Sequence, residues 1–221
     1  MISGSNQEKT GGRPSAHAAL DVVPTPPPSR RFSDVQPWDE TTRPTSPPPD
    51  PGATYPEQGR QFARHLIEIH DHLRQELAQV RDLVAQVLDG SLDVGAARSA
   101  INVMTMRQNK WALGAYCQNY CRILTTHHTL EDRALFPRLR RADDRLGPVL
   151  DRLADEHEVI AEVLDSVDAA LVAMVSSPDD GGHELRRAVD LLTDTLLSHL
   201  SYEERELIEP LSRLAPEAGL V

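Results

Sequence analysis

The sequence predicts an all-α fold, an up-down-up-down four-helix bundle with a disordered, proline-rich N-terminal tail. Apolar residues recur at alternating spacings of three and four over several long segments, which is typical of amphipathic helices. The connections between these segments are short, which favours antiparallel neighbours. Most of the 17 prolines precede residue 55. We therefore expect two regions, a tail at residues 1–54 and a helical domain at residues 55–215.

The tail contains two runs of three prolines, at residues 26–28 and 47–49, mixed with Ser, Thr, Gly and Asp. Such a segment buries too little apolar surface to offset the entropy lost on ordering, so we expect it to be disordered or polyproline-like. It either docks on a partner that binds prolines or forms a solvated leader. We favour the solvated leader.

The first helix is predicted to begin near Pro56 and to stop near Gly90. Its seam, the line of side chains that faces the bundle axis, consists of Leu66, Leu73, Leu77, Val80, Val84 and Val87. The position that this seam requires between Leu66 and Leu73 is His70. His65 and His72 fall off the seam, and we expect both to be exposed or at its boundary.

The second helix has a seam in which a histidine and a glutamate stand where leucines are expected. The seam residues are Leu113, Cys117, Tyr120, Leu124, His127, Glu131 and Ala134. Glu131 is the more informative of the two, because an isolated buried carboxylate is costly unless it is paired or coordinated. His128 and Asp132 lie one step around the helix, where they either orient ligands or belong to a solvated face.

The third and fourth helices show the same substitution of polar for apolar seam residues. The third seam is Leu150, Leu153, His157, Ile160, Leu164, Val167 and Leu171. The fourth is Leu185, Val189, Leu192, Leu196, His199 and Glu203, and this helix is expected to end near Pro210. His183 follows a turn-rich break and is expected to be exposed at the start of the helix.

These polar seam residues are predicted to meet inside the bundle. In an up-down-up-down topology, the four histidines lie at similar depths of roughly 15–20 Å from one end. The candidate metal ligands are His70, His127, Glu131, His157, His199 and Glu203. Six nitrogen and oxygen ligands exceed the three or four of a zinc site and favour two iron or manganese ions. The histidine-rich set favours iron, and the alternative is a single zinc or an adventitious ion.

The set His70, His127-x-x-x-Glu131, His157 and His199-x-x-x-Glu203 resembles the hemerythrin HHE cation-binding family over about residues 57–215. The His-His-x-x-Glu-Asp and Leu-Phe-Pro sequences of the second helix are part of this resemblance. The sequence of residues 104–109 resembles that of actinobacterial members of the family. The resemblance implies a non-haem centre of two iron ions bridged by carboxylates and an oxo group. The four histidines would be terminal ligands, and the two glutamates would be bridges.

One departure from the family concerns the third helix. Oxygen-carrying hemerythrins have a second histidine four residues after the first, where this chain has Ala161 after His157. We expect the missing nitrogen to leave a coordination position open to water, to a tyrosine (Tyr116, Tyr120) or to another side chain. An open position favours reaction with peroxide or dioxygen over reversible carriage.

A second departure concerns the last carboxylate. Oxygen-carrying members have an aspartate five residues after the last histidine, where this chain has Glu204, with Glu203 at four. Either glutamate would be the bridge. We prefer Glu203, because it lies on the seam and repeats the spacing of Glu131 from His127.

Charge and composition narrow the classes of partner. The net charge of −11 and the pI of about 5.2 argue against nucleic acid. No apolar run is long enough for a membrane span and no secretory signal is recognisable, so we expect a cytoplasmic protein. The expected ligand is dioxygen, hydrogen peroxide or nitric oxide. The sequence leaves open a binding protein, a catalase-like or ferroxidase-like oxidoreductase, and an iron-buffering or sensing module.

Overall fold

The chain folds into four long helices in the computed structural model, which describes Leu20 and residues 22–89, 117–176 and 178–214. Helix α1 spans Glu57–Leu88, α2 spans 117–142, α3 spans Gly147–Ser176 and α4 spans Pro178–Arg213. Within these ranges there is no β-strand, and the all-α prediction is confirmed. Among the same residues, no helix combines the length and apolar character that crossing a bilayer requires.

The predicted seams are buried in α1, α3 and α4. Every predicted seam residue of α3 and α4 is buried, and in α1 only Val87 is partly exposed. The outcome for α2 is mixed. Cys117, Tyr120, Leu124 and Glu131 are buried, whereas Ala134 is exposed and Leu113 lies outside the described residues. The placement of Ala134 on the seam was therefore wrong.

A π-helical turn at Glu131–Leu135 explains this error. The N–H of Phe136 donates to the carbonyl of Glu131, five residues back, so the turn holds one residue more than an α-helical turn. Pro137 follows directly and has no N–H to continue the regular ladder. The wider turn moves Ala134 off the seam and brings Phe136 and Leu139 onto it, where both are buried.

The bundle contains two apolar clusters with a polar layer between them. One cluster includes Leu73, Leu124, Ile160 and Leu196, and the other includes Leu66, Phe136, Leu153 and Leu207. The polar seam residues of each helix fall between a residue of the first cluster and a residue of the second. Apolar side chains thus cover the layer on both sides along the bundle axis.

Residues 22–56, which we call the N-terminal strap, lie against the bundle instead of forming a solvated leader. The strap has no α-helix or β-strand; it contains a 3-10 turn at Glu40–Thr42, a turn at residues 51–52 and several bends. Val22 is buried in the second apolar cluster and Trp38 packs against the first. The expectation of a disordered, solvated segment is therefore corrected for residues 22–54. Residues 1–19 and Asp21 lie outside the described residues.

Hydrogen bonds to α4 hold the strap in place. Its backbone N–H groups at Phe32 and Ser33 donate to Asp194, at 2.8 and 2.7 Å. The N–H of Ser46 donates to Glu206 at 2.7 Å. A proline-rich segment forms no regular series of backbone hydrogen bonds of its own. These carboxylates therefore accept hydrogen bonds from amides that would otherwise be without partners. This contact is not visible in the sequence, because acidic residues on the outer face of a helix usually face solvent.

A close approach of α1 to α4 at Gly59 yields the first prediction. A Cβ added at Gly59 would lie 2.8 Å from the carbonyl carbon of Ser212 and 3.1 Å from the carbonyl oxygen of Leu211. Gly59→Ala is expected to destabilise the protein by about 1–3 kcal/mol, because both neighbours are backbone atoms. Urea denaturation measures the change. The exposed Gln61→Ala control should stay within about 0.5 kcal/mol, and a Gly59→Ala variant of wild-type stability would contradict the packing.

Candidate metal centre

The six predicted ligand residues lie together in the polar layer, and all four helices contribute. Their imidazole nitrogens and carboxylate oxygens belong to two groups, in each of which the atoms lie within 4.8 Å of one another. One group contains His70, His127, Glu131 and Glu203. The other contains His157 and His199 together with His128.

Glu131 lies between the two groups. Its Oε1 atom is 3.2 Å from Nε2 of His127 in the first group. Its Oε2 atom is 3.7 Å from Nε2 of His157 in the second. A carboxylate that faces a histidine of each group has the placement that a bridge between two ions requires.

Glu203 lies between the groups as well, and Glu204 does not. Oε2 of Glu203 is 3.5 Å from Nε2 of His70 and 3.6 Å from Nε2 of His199. Glu204 instead accepts from Nη2 of Arg74 at 2.6 Å and contacts Nδ1 of His70 at 2.9 Å. The geometry therefore agrees with our preference for Glu203 as the bridge.

Seven buried atoms of this layer have no hydrogen-bond partner among the described residues. They are Nε2 of His70, His127 and His128 and both carboxylate oxygens of Glu131 and Glu203. A buried polar group without a partner costs about 1–3 kcal/mol, and an ionised one costs more. In the second group, the Nε2 atoms of His157 and His199 are 3.1 Å apart. That spacing suits two ligands of one ion at about 2.1 Å. The donor set thus fits bound metal cations.

The family comparison agrees with this geometry. The model of the hemerythrin HHE cation binding domain matches residues 61–211. The chain belongs to this family. Neither the curated proteins nor the solved structures gave a match to it. The matched range runs from the first turns of α1 almost to the end of α4, so the hemerythrin domain includes the whole polar layer and leaves the strap outside.

His128 is the site residue that the sequence analysis did not assign as a ligand. Its ring stacks on that of His157, with centroids 4.0 Å apart and planes 9° from parallel. It supplies a third imidazole to the group of His157 and His199, where Ala161 of α3 has no nitrogen to offer. Among the ligands expected for the position that Ala161 leaves, another side chain, that of His128, lies where it could take it. The adjacent pair His127-His128 was the available signal, since the seam passes between them.

The tyrosines and the remaining histidines have other roles. The hydroxyl of Tyr120 donates to the carbonyl of Leu73 at 3.3 Å, so Tyr120 is engaged elsewhere. Tyr116 lies outside the described residues. The three histidines expected off the seam are all exposed (His65, His72, His183).

Carboxylates stand behind three of the histidines and fix their rings. In each pair Nδ1 faces a carboxylate oxygen: His70 and Glu204 at 2.9 Å, His157 and Asp132 at 2.8 Å, His199 and Glu156 at 3.1 Å. The Nε2 atoms are thereby directed to the centre. Such a partner sets the tautomer and raises the basicity of a ligating imidazole. Asp132 thus orients a ligand, one of the two roles that the sequence left open for it.

The strap reaches two of these carboxylates. Arg43 donates to both oxygens of Glu156, through Nε and Nη2, at 2.8 Å each. The N–H of Thr25 donates to Oε2 of Glu204 at 2.7 Å. Burial would raise the pKa of Glu156, but hydrogen bonds from His199 and Arg43 lower it to about 2. Glu156 therefore stays ionised behind His199.

The ligands themselves are held in unusual protonation states by their surroundings. Burial, followed by the charge of Glu203, raises the pKa of Glu131 well above its usual range. Burial and the neighbouring histidines lower the pKa of His127 to about 2 and that of His128 well below 6.5. His127 and His128 are thus held neutral, as metal ligands must be, and a bound cation would favour the ionised form of Glu131.

The contact between Arg43 and Glu156 yields the second prediction. Arg43→Met is expected to destabilise the protein by about 2–3 kcal/mol, because Glu156 loses a bidentate partner and keeps only Arg152 and His199. Bound metal should also be lost to a chelator faster, since His199 is less firmly oriented. Urea denaturation and chelator-release kinetics measure both. Arg30→Met, at an exposed position of the strap, is the control and should change neither.

The depressed pKa of His127 yields the third prediction. In metal-free protein His127 stays neutral down to about pH 2, whereas in the unfolded chain it binds a proton below about pH 6.5. The contribution of His127 to the free energy of unfolding is fully present above pH 6.5. It is lost as the pH falls below that value, by about 1.4 kcal/mol per pH unit. A His127→Asn variant should lack this slope.

Urea denaturation with chelator present, between pH 7 and pH 5, measures the effect. The stability of the wild type relative to His127→Asn should decrease with falling pH. The exposed His65→Asn variant should follow the wild-type slope. Parallel pH profiles for wild type and His127→Asn would contradict the buried neutral histidine.

Proposed function

We propose that the polar layer holds a non-haem di-iron centre that binds or reacts with dioxygen, hydrogen peroxide or nitric oxide. One observation carries the proposal: the buried carboxylates Glu131 and Glu203 belong to one ligand group, and each also approaches a histidine of the other group, at 3.7 and 3.6 Å. The four oxygens of these carboxylates have no hydrogen-bond partner among the described residues. Two cations, one in each group, would compensate both carboxylates at once.

The number and type of ligands support two irons over one zinc. Five imidazoles and two carboxylates exceed the three or four protein ligands that zinc uses. No thiolate belongs to either group, and nitrogen and oxygen ligands of this kind suit iron. Carboxylate-bridged pairs of iron or manganese ions are a recurring use of four-helix bundles, and the histidine-rich set favours iron.

The two ions would differ in their number of imidazole ligands. The group of His128, His157 and His199 offers three imidazoles, whereas the other group offers two, from His70 and His127, besides the carboxylates of Glu131 and Glu203. A cavity of about 500 Å³ is lined by His127 and Glu131. A small molecule would therefore reach the ion with fewer imidazoles, on the cavity side. Bound iron would supply the electrons for its reduction or reversible binding, while the protein residues orient the ligands and exclude water.

Binding is better supported than turnover. His128 would take the coordination position that Ala161 leaves next to His157, so that position would not be open to peroxide or dioxygen. The tyrosine hydroxyls near the layer are also engaged: Tyr202 donates to the carbonyl of Pro44 at 2.8 Å, and burial raises its pKa further above the usual value. Tyr202 is thus a poor proton donor for a catalase-like or ferroxidase-like reaction.

The fourth prediction concerns metal content. Full-length protein from iron-supplemented cells is expected to hold about two irons per chain. His128→Ala and Glu131→Ala should each reduce this to less than about one, because each removes a ligand from a buried site. Elemental analysis and the absorption spectrum measure the effect.

His65→Ala and His183→Ala are the matched controls, and they should keep the wild-type iron content. Equal iron loss in all four variants, or one zinc and no iron in the wild type, would rule out the di-iron centre. A stable spectral change on adding dioxygen, peroxide or nitric oxide would support binding. Continuous gas evolution from peroxide would instead support a catalase-like activity.

A further inference from the structure

We propose that the cavity beside the centre binds a fatty acid, with its aliphatic chain against the cavity walls and its carboxylate on arginines of α2. The volume of about 500 Å³ lies within the range of roughly 300–1,000 Å³ that is typical of small-molecule sites. It far exceeds what dioxygen, peroxide or nitric oxide needs. The cavity therefore has room for a larger ligand.

The walls of the cavity are predominantly apolar. Helix α1 contributes Phe62, Leu66 and Ile69, and α2 contributes Leu130 and Leu135. Leu130 is 62% exposed and Phe62 is 36% exposed, which makes them two of the most exposed large apolar side chains among the described residues. Burial of these side chains by an aliphatic chain would release ordered water and stabilise the complex.

The charged residues of the cavity select an anion. Three arginines line it, Arg133, Arg138 and Arg141, and the buried ligand Glu131 is the sole acidic residue in the lining among the described residues. Within that part of the chain, neither Arg133 nor Arg141 forms an ion pair. This concentration of positive charge contrasts with a net charge of −11 for the whole chain. Arginine binds a carboxylate with two parallel hydrogen bonds, so one head group suffices.

A ligand with both an aliphatic chain and a carboxylate matches the whole lining, whereas neither group alone does. A small inorganic anion would leave the apolar walls wet, and a neutral hydrocarbon would leave the arginines without a counter-charge. Because His127 and Glu131 line the same cavity, a bound chain would lie next to the centre and keep water from that side. The site goes beyond the proposed function, since fatty-acid binding requires no iron.

Calorimetric titration of the full-length, iron-loaded protein tests the proposal with octanoate, decanoate, dodecanoate and decan-1-ol. Affinity should rise about fourfold for each added methylene, as expected when methylenes are buried. Decanoate should bind at least about tenfold more tightly than decan-1-ol, which lacks the charge. Equal affinity for the acid and the alcohol, or no dependence on chain length, would overturn the proposal.

Paired charge variants locate the site. Arg133→Gln with Arg141→Gln should weaken decanoate binding at least about tenfold and leave decan-1-ol binding unchanged. Arg122→Gln with Arg187→Gln removes the same charge from exposed positions outside the cavity lining and should retain wild-type affinity. Equal weakening in both double variants would overturn the assignment to this cavity.

Iron content is measured on the same samples to separate the two proposals. A chain that holds two irons but binds no decanoate overturns the fatty-acid site alone. A chain that binds decanoate as expected but holds no iron overturns the di-iron proposal alone.

Discussion

Burial of unpaired histidine and carboxylate atoms between two apolar clusters is the constraint on which the rest of this structure depends. The free energy of a bundle comes mainly from apolar burial, and each helix gives up part of it to place a polar residue in the layer. Seven ligand atoms there have no partner among the described residues. Apolar side chains on both sides exclude the water that would otherwise solvate them, so cations are the natural compensation.

The surrounding structure directs these atoms. The π-helical turn of α2 begins at Glu131, and it lets Glu131 face the centre while Phe136 returns to the apolar cluster. Wider turns of this kind are frequent at functional sites because they re-aim side chains without ending the helix. Behind the centre, Glu204, Asp132 and Glu156 hold imidazole rings through Nδ1. The ligand directions are thus fixed by contacts that lie outside the centre itself.

The strap links the N-terminal segment to the centre through two such contacts. Its few backbone amides find acceptors on α4, and Arg43 and Thr25 bind the carboxylates that hold His199 and His70. The polar outer face of α4 is consequently buried, with Asp194, Ser198 and Glu206 all covered. A change in the strap therefore reaches the ligand geometry without altering any ligand. The cavity lies on another side, between α1 and α2, next to the ligand group that has fewer imidazoles.

The sequence by itself determined the helices, their seams and six of the residues that meet in the polar layer. These features are local, because a period of 3.6 residues places a helix face and a polar residue on that face is visible as an exception. The contribution of His128 depended on the tertiary structure, since the seam accounts for His127, and only the stacking on His157 shows that the adjacent His128 enters the polar layer as well. The exposure of Ala134 depended on a π turn whose effect on register appears only in three dimensions. The docking of the strap and the roles of Glu156 and Glu204 also depended on the tertiary structure. Each rests on contacts between residues more than forty positions apart, and in the sequence these residues look like ordinary surface residues.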